Sequence, residues 1–168
     1  MEQFGLAKGA RVADLGSGAG HYALAAARIV GGDGRVFAVD VLKDLLQKIK
    51  NEAVRSHLIN VETLWGDVER LGGTRLPDAS VDAALVCNTL FQLEEKKDFP
   101  SEVKRILKPG GRVLVVDWRE SFGGMGPQPE HVVAAQAARS LFENAGFSLE
   151  KEISAGAHHY GFIFKRGV

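Results

Sequence analysis

Three features of this 168-residue chain predict an α/β fold with a doubly wound, mostly parallel sheet. Apolar strand-like runs alternate with helical runs from end to end, as a sheet covered by helices on both faces requires. One strand-to-helix junction is rich in glycine: Val-Ala-Asp-Leu-Gly-Ser-Gly-Ala-Gly at 12–20, where an acid, Asp14, precedes Gly16, Gly18 and Gly20. A tight loop of this kind lets a ligand lie almost on the backbone, because no Cβ intervenes. The last two strand-like runs are joined by a short Ala-Gly turn, which reads as an antiparallel hairpin and puts one reversed strand into the sheet.

Strand one occupies 10–15 and leads into helix A at 20–31, closed by Gly31-Gly32. Strand two, 35–40, is nearly all apolar, as a central parallel strand must be. Helix B covers 42–55, strand three 60–65 up to Gly66-Asp67, and strand four 81–87. A helical run at 97–107 stops at Pro109-Gly110-Gly111, and strand five at 112–118 carries Val-Leu-Val-Val at its centre. Helix E spans 130–145 and ends at Gly146. The hairpin pairs 147–154 with 158–166. The longest irregular stretches are 66–80 and 119–129, and no repeat or low-complexity segment interrupts the order.

The length suits one domain, 1–168, with a minimal extension before strand one. Apolar content of 45% and charged content of 25% are ordinary for a globular protein. Lys plus Arg equals Asp plus Glu at 21 each, so no global charge draws the chain to nucleic acid or an anionic membrane, although a local basic patch stays open. Cys87 is alone, which excludes an intrachain disulfide and a Cys-rich zinc site, and it reads as a buried small apolar residue near a strand end. With no signal peptide and no apolar run approaching the roughly 20 residues a bilayer demands, the expected location is cytoplasmic.

The chemistry concentrates at strand ends. About twenty residues after the glycines, Asp40 closes strand two, where an acid suits a ribose diol. Together Asp14, the glycine loop and Asp40 point to a nucleoside-cofactor site. In an open α/β sheet, ligands bind beyond the carboxyl ends of the strands, near the switch point between strands one and four.

Four segments, in order and spread over residues 9–166, resemble the class I S-adenosylmethionine (SAM)-dependent methyltransferases: the glycine loop at 12–20, Phe-Ala-Val-Asp at 37–40, Gly66-Asp67-Val68 with Leu-Pro-Asp-Ala-Ser-Val-Asp at 76–82, and Leu-Lys-Pro-Gly-Gly-Arg-Val-Leu-Val-Val-Asp at 107–117. The general likeness is to ubiquinone/menaquinone-type and related small-molecule methyltransferases. The resemblance implies a Rossmann-like seven-stranded sheet of order 3-2-1-4-5-7-6 with strand seven antiparallel, and a methyl transfer from SAM that leaves S-adenosylhomocysteine. It implies that Gly16, Ser17, Gly18 and Gly20 cradle the methionine and ribose portions, and that Asp14 meets the amino-acid part directly or through water. Asp40 would accept from both ribose hydroxyls and Val41 would pack on adenine. Asp67 would accept from the adenine amine, the Val68 N–H would meet a ring nitrogen, and Asn88 would hold the amino-acid part. One departure is the stretch 68–75, where Gly72-Gly73 lengthens a loop that the family crosses in fewer residues.

The acceptor side is thinner, because alignment alone contributes roughly 7–11 kcal/mol to a group transfer and no obligatory catalytic constellation exists. After strand four stands Asn88-Thr89-Leu90-Phe91, without the two prolines common in amino-directed base and glutamine methylases. No cysteine pair serves covalent attack on a pyrimidine, and no acidic cluster suggests a metal. The hairpin should turn at the carboxyl-end face, so strand seven starts beside the cofactor at His158-His159-Tyr160. Alternation puts His158 and Tyr160 on one face as candidate catalytic or acceptor-binding residues, against the bland reading of a polar strand end. Trp118, Phe122 and Met125 could form an apolar wall for the acceptor, or Trp118 could simply belong to the core. His131, at the start of helix E, reads as a solvated or capping residue.

With little before strand one, an open site is expected. It would take a macromolecular acceptor, be closed by a second subunit, or act on a hydrophobic acceptor presented elsewhere. The neutral composition favours a small or lipophilic acceptor over nucleic acid. A methyltransferase for protein or RNA would need a basic patch around Arg119, Lys151 and Arg166. A SAM-binding partner subunit without activity is a further alternative. A nicotinamide oxidoreductase is disfavoured by the terminal hairpin and Gly66-Asp67.

Overall fold

The computed structural model describes residues 1–168. Eleven helices and strands alternate: β1 (Arg11–Leu15), α1 (His21–Val30), β2 (Arg35–Asp40), α2 (Lys43–Arg55), β3 (Val61–Trp65), β4 (Val81–Cys87), α3 (Phe99–Ile106), β5 (Leu107–Trp118), α4 (Ala135–Asn144), β6 (Phe147–Ile153) and β7 (His159–Arg166). They form one seven-stranded sheet of order β3-β2-β1-β4-β5-β7-β6, as expected. β7 is antiparallel to both its neighbours and the other pairs are parallel.

The apolar runs explain the layers. On one face, α1 presents Ala23, Ala26 and Ala27, small enough to seat the helix on Val12, Val36 and Leu85, and α2 adds Leu46 and Ile49. On the other face, Phe99, Val103 and Ile106 of α3 and Ala138 and Phe142 of α4 pack on Val113, Val115, Phe162 and Phe164. Phe142 stacks on Phe164 with centroids 5.1 Å apart. Strands buried on both sides read as continuous apolar runs. No helix is long and apolar enough to cross a membrane.

Two boundaries differ from the sequence reading. The helix expected at 130–145 is split into a 3₁₀ turn, Pro129–His131, an extended link, and α4 from Ala135. The link holds Val132 and Val133, whose β-branched side chains favour extended backbone, and Val133 packs against the core. The strand expected at 112 begins at Leu107, which pairs with Val81 before the register shifts across Pro109-Gly110-Gly111. Such a bulge is invisible to a pattern that treats Pro-Gly-Gly as a stop.

Register decides where the site falls. Asp14 lies between Ala38 and Leu85, and Trp118 pairs with His159. The ends of β1, β2, β4 and β5, and the β6–β7 turn, therefore share one rim of the sheet.

Candidate cofactor site

The glycine loop is built from the backbone outward. Gly16 and Ser17 donate their N–H groups to the Val39 carbonyl at 2.9 and 3.0 Å, which ties the loop to β2. Gly16 adopts φ +71°, and a Cβ there would lie 2.7 Å from Thr89 Cγ2, so only glycine fits. Gly20 serves packing: a Cβ would meet Ile49 of α2 at 2.6 Å. Asp40 latches the loop from the next strand. Its Oδ2 accepts the Gly18 N–H at 2.8 Å and its Oδ1 accepts the Leu42 N–H at 2.9 Å. Each carboxylate oxygen keeps a second lone pair, so the acid is pre-aimed and still able to accept a diol.

Beneath the loop several buried polar atoms lack partners: Asp14 Oδ2, Ser17 Oγ and Asn88 Oδ1. Burial pushes the Asp14 carboxyl up to about 7, the Ala23 N–H eases it, and the nearby Asp40 charge raises it further. Orphaned atoms of this kind are expensive unless a ligand pairs them. Asn88 sits at φ +57°, its N–H donating to Val116 O at 2.8 Å. Thr89 donates its hydroxyl to Leu15 O at 2.9 Å, joining the β4 end to the glycine loop.

A cavity of about 190 Å³ opens between these pieces, with Gly16, Gly18, Asp40, Val41, Asp67 and Val68 on its wall, while Asp14, Ser17, Gly20 and Asn88, singled out with them, do not line it. Leu42, Leu45, Thr89, Gln92 and Leu93 also line it. Sequence reasoning missed these five, and only the helical spacing of Leu42 and Leu45 hinted at them. Asp67 stands at the rim with a 41% exposed side chain, pairing with Arg70 Nε at 3.0 Å and accepting the Glu69 N–H at 3.0 Å. The lengthened loop is anchored by a residue the sequence did not single out. Buried Glu102 of α3 accepts the Gly72 N–H at 2.7 Å and the Thr74 N–H at 3.1 Å, and binds Arg105. Burial pushes the Glu102 carboxyl up, but these donors outweigh it and hold it below its ordinary value.

His158, His159 and Tyr160 do not line this cavity. His158 Nδ1 lies 2.8 Å from Glu120 Oε1, and its ring stacks on Phe122 at 3.7 Å. His159 lies against Trp118 at 4.2 Å, and burial, then the charge of His158, lower its pKa. Tyr160 joins the core with its hydroxyl enclosed and unpaired, which pushes the phenol well above its usual range. Met125 is exposed at the loop tip. A separate hollow of about 320 Å³ on the α1 face is largely apolar, walled by Tyr22, Leu114, Val116, Ile153 and Ala155. Burial, then the charges of Cys87 and Asp14, push the Tyr22 phenol up to about 12. Cys87 itself is buried, as expected.

SAM would fit the orphaned groups: its α-ammonium would supply donors for Asp14 and Asn88, and its ribose diol donors for Asp40. Fold and site thus define a SAM-binding α/β domain, and comparison with known proteins makes this specific. Residues 6–159 match the family described as "Methyltransferase domain". The chain belongs to that family, within the class I SAM-dependent methyltransferases. It is 34% identical over 112 residues to the arsenite methyltransferase of Halobacterium salinarum, covering 67% of this chain and 28% of that protein. It is 31% identical over 160 residues to the ubiquinone/menaquinone biosynthesis C-methyltransferase UbiE of Erwinia tasmaniensis, covering 93% and 59%. The chain thus spans well under two thirds of the length of these curated relatives. Among solved structures, a SAM dependent methyltransferase from Aquifex aeolicus superposes with a TM-score of 0.88 at 30% identity, covering 98% of this chain and 86% of that one.

Proposed function

We propose that the protein transfers a methyl group from SAM to a small or lipophilic acceptor. The observation that carries this reading is the pairing of two features: the orphaned Asp14 and Asn88 oxygens near the Asp40 cradle, and the largely apolar hollow that Tyr22 helps to wall. Bound SAM supplies an electrophilic methyl group on its sulfonium. Asp14 and Asn88 hold the amino-acid end, Asp40 the ribose, Val41 and Leu45 the adenine face, and Asp67 with the Val68 N–H its polar edge. Leu114, Val116 and Ile153 exclude water from an apolar acceptor, and Trp118 and Phe122 extend the wall toward the rim. His158, oriented through Nδ1 by Glu120, lines neither hollow and takes the acceptor's proton at Nε2 where the acceptor reaches the start of β7. Tyr160 is too deeply enclosed and too weakly acidic to act as a base, and it supports the wall from behind.

A small acceptor is favoured over RNA by two charge patterns. Asp67, Glu69, Glu94, Glu95 and Asp98 ring a hollow of about 690 Å³ next to the cofactor cavity, a field that repels phosphate. Arg119, Lys151 and Arg166 form no single patch: Arg119 meets His158 at one end of β7, while Arg166 turns its guanidinium to the Lys104 carbonyl at the other. The relatives point the same way, since two of them are named for arsenite and for quinone biosynthesis. Closure of the site by a second subunit belongs to the same reading. Calorimetry with SAM and S-adenosylhomocysteine, followed by a radiolabel-transfer screen over quinols, phenols and trivalent arsenic, tests it. Micromolar binding with no transfer to any acceptor would favour the inactive partner subunit instead.

A further inference from the structure

Asp117, next to last in β5, is fully buried, does not line the cofactor cavity, and has no cation beside it. Its Oδ2 accepts the Leu90 N–H at 2.7 Å and its Oδ1 accepts the Trp118 N–H at 2.7 Å. The backbone N–H groups of Phe91 and Thr89 also face it. Apart from Trp118, these donors belong to the short 3₁₀ turn Leu90–Gln92 that follows β4 and to its N-cap Thr89, which makes no side-chain cap. A carboxylate from the neighbouring strand thus satisfies the free N–H groups at the start of that turn.

The turn carries much of the cofactor wall. Thr89, Gln92 and Leu93 line the cavity, and Thr89 both bonds Leu15 O and presses on Gly16. Gln92 Nε2 donates to the Asn88 carbonyl at 2.7 Å. An apolar residue at 117 would fill the same space without burying a charge, so the carboxylate is explained by what it holds. Opposite it in register stands Tyr160 of β7, which is not cationic, and the neighbouring Cys87 of β4 pairs with Val116 and packs on the other face of the sheet. Burial pushes the Asp117 carboxyl up to about 6, against the pull of its backbone donors.

We propose that Asp117 is a positioning residue for cofactor binding: its carboxylate clamps the Leu90–Gln92 turn and thereby sets Asn88 and Thr89 for the amino-acid end of SAM. This rests on the reading of Asn88 and the cavity as the cofactor site. The test compares S-adenosylhomocysteine binding by wild type and Asp117→Asn across pH 5–8, with thermal unfolding in parallel. The amide keeps the shape but turns an NH₂ toward one of the two N–H donors. Affinity at pH 8 should fall about 10- to 100-fold with the fold intact, the scale of a lost charge-assisted hydrogen bond. Below pH 6 wild-type affinity should fall about 100-fold per pH unit, one proton each for Asp14 and Asp117, and the variant about tenfold. Equal binding by both proteins at pH 8 with parallel pH profiles would overturn the proposal while leaving the cofactor reading intact. No binding by wild type would instead sink the cofactor reading. If the variant does not fold, amide exchange of the wild type decides. Protection of the Leu90 N–H should rise on ligand binding and fall below pH 6, and a Leu90 N–H indifferent to both overturns the clamp.

Discussion

At the ends of β1, β2 and β4, polar side chains are held by backbone: Gly18 and Leu42 N–H groups fix Asp40, and Thr89 reaches Leu15 O. At the ends of β5 and β7, the contacts run between side chains of a long loop and a turn: Glu120 with His158, Phe122 over His158, Trp118 against His159. Phe122 and Met125 are 42% and 57% exposed there, whereas Asp14 and Asp40 are buried. The difference teaches how one domain divides its work. On the proposed reading, a constant ligand would be met by a rim whose polar groups are fixed before binding, which avoids ordering costs. The acceptor would be met by a loop that can change without disturbing the sheet.

The largest expected effect tests whether the two ends are separable. Asp40→Ala should weaken S-adenosylhomocysteine binding by at least about 100-fold, because it removes an acceptor of two charge-assisted bonds and frees the glycine loop. His158→Ala should leave that affinity within about twofold and lower the methyl-transfer kcat by about 100-fold. If His158→Ala also abolishes cofactor binding in calorimetry, the division between the ends is wrong.

Asp14 sharpens the comparison through pH. Its carboxyl goes from 3.8 to about 7 on folding, so between those values the folded state binds more protons than the unfolded state. Stability therefore falls as pH rises through this window, by up to about 4 kcal/mol. The carboxylate form receives the cofactor ammonium, so affinity should rise about tenfold per unit approaching pH 7 and then level. Asp14→Asn should accordingly melt higher than wild type at pH 8, match it near pH 4, and bind the ligand more weakly at pH 8. Differential scanning calorimetry and titration calorimetry measure both, and a variant that melts lower at pH 8 would contradict the burial argument.

The smallest effect belongs to the acceptor end. Glu120→Gln keeps a hydrogen-bonding group near His158 Nδ1 but loses the charge, and kcat should drop only about tenfold. Its mark is a lower kcat with KM for SAM unchanged. An unchanged kcat would remove Glu120 from the proposed dyad.

Fold and cofactor end were legible because their signals are local. Alternating apolar runs, glycines at 16, 18 and 20, and acids at strand ends follow from strand and turn geometry that neighbours in sequence decide. Gly20 shows the limit of that reading, since it stands in the same motif as Gly16 yet answers to Ile49 of α2. Glu102 and Asp117 were out of reach for a related reason. One secures a loop some 28 to 30 residues away and the other a turn 27 residues away, and nothing near either residue in the chain marks it.

The chain by itself determined the order of elements, the antiparallel last strand, the glycine loop and the acids at the strand ends, because backbone sterics and apolar periodicity act over a few residues. Tertiary structure alone decided which polar atoms are buried without partners, how Asp14 and Asp117 titrate, that Tyr160 is enclosed while His158 pairs with Glu120, and where an apolar hollow opens beside Tyr22. Those properties depend on solvent exclusion and on contacts between distant strands, and burial exists only once the sheet has closed around them.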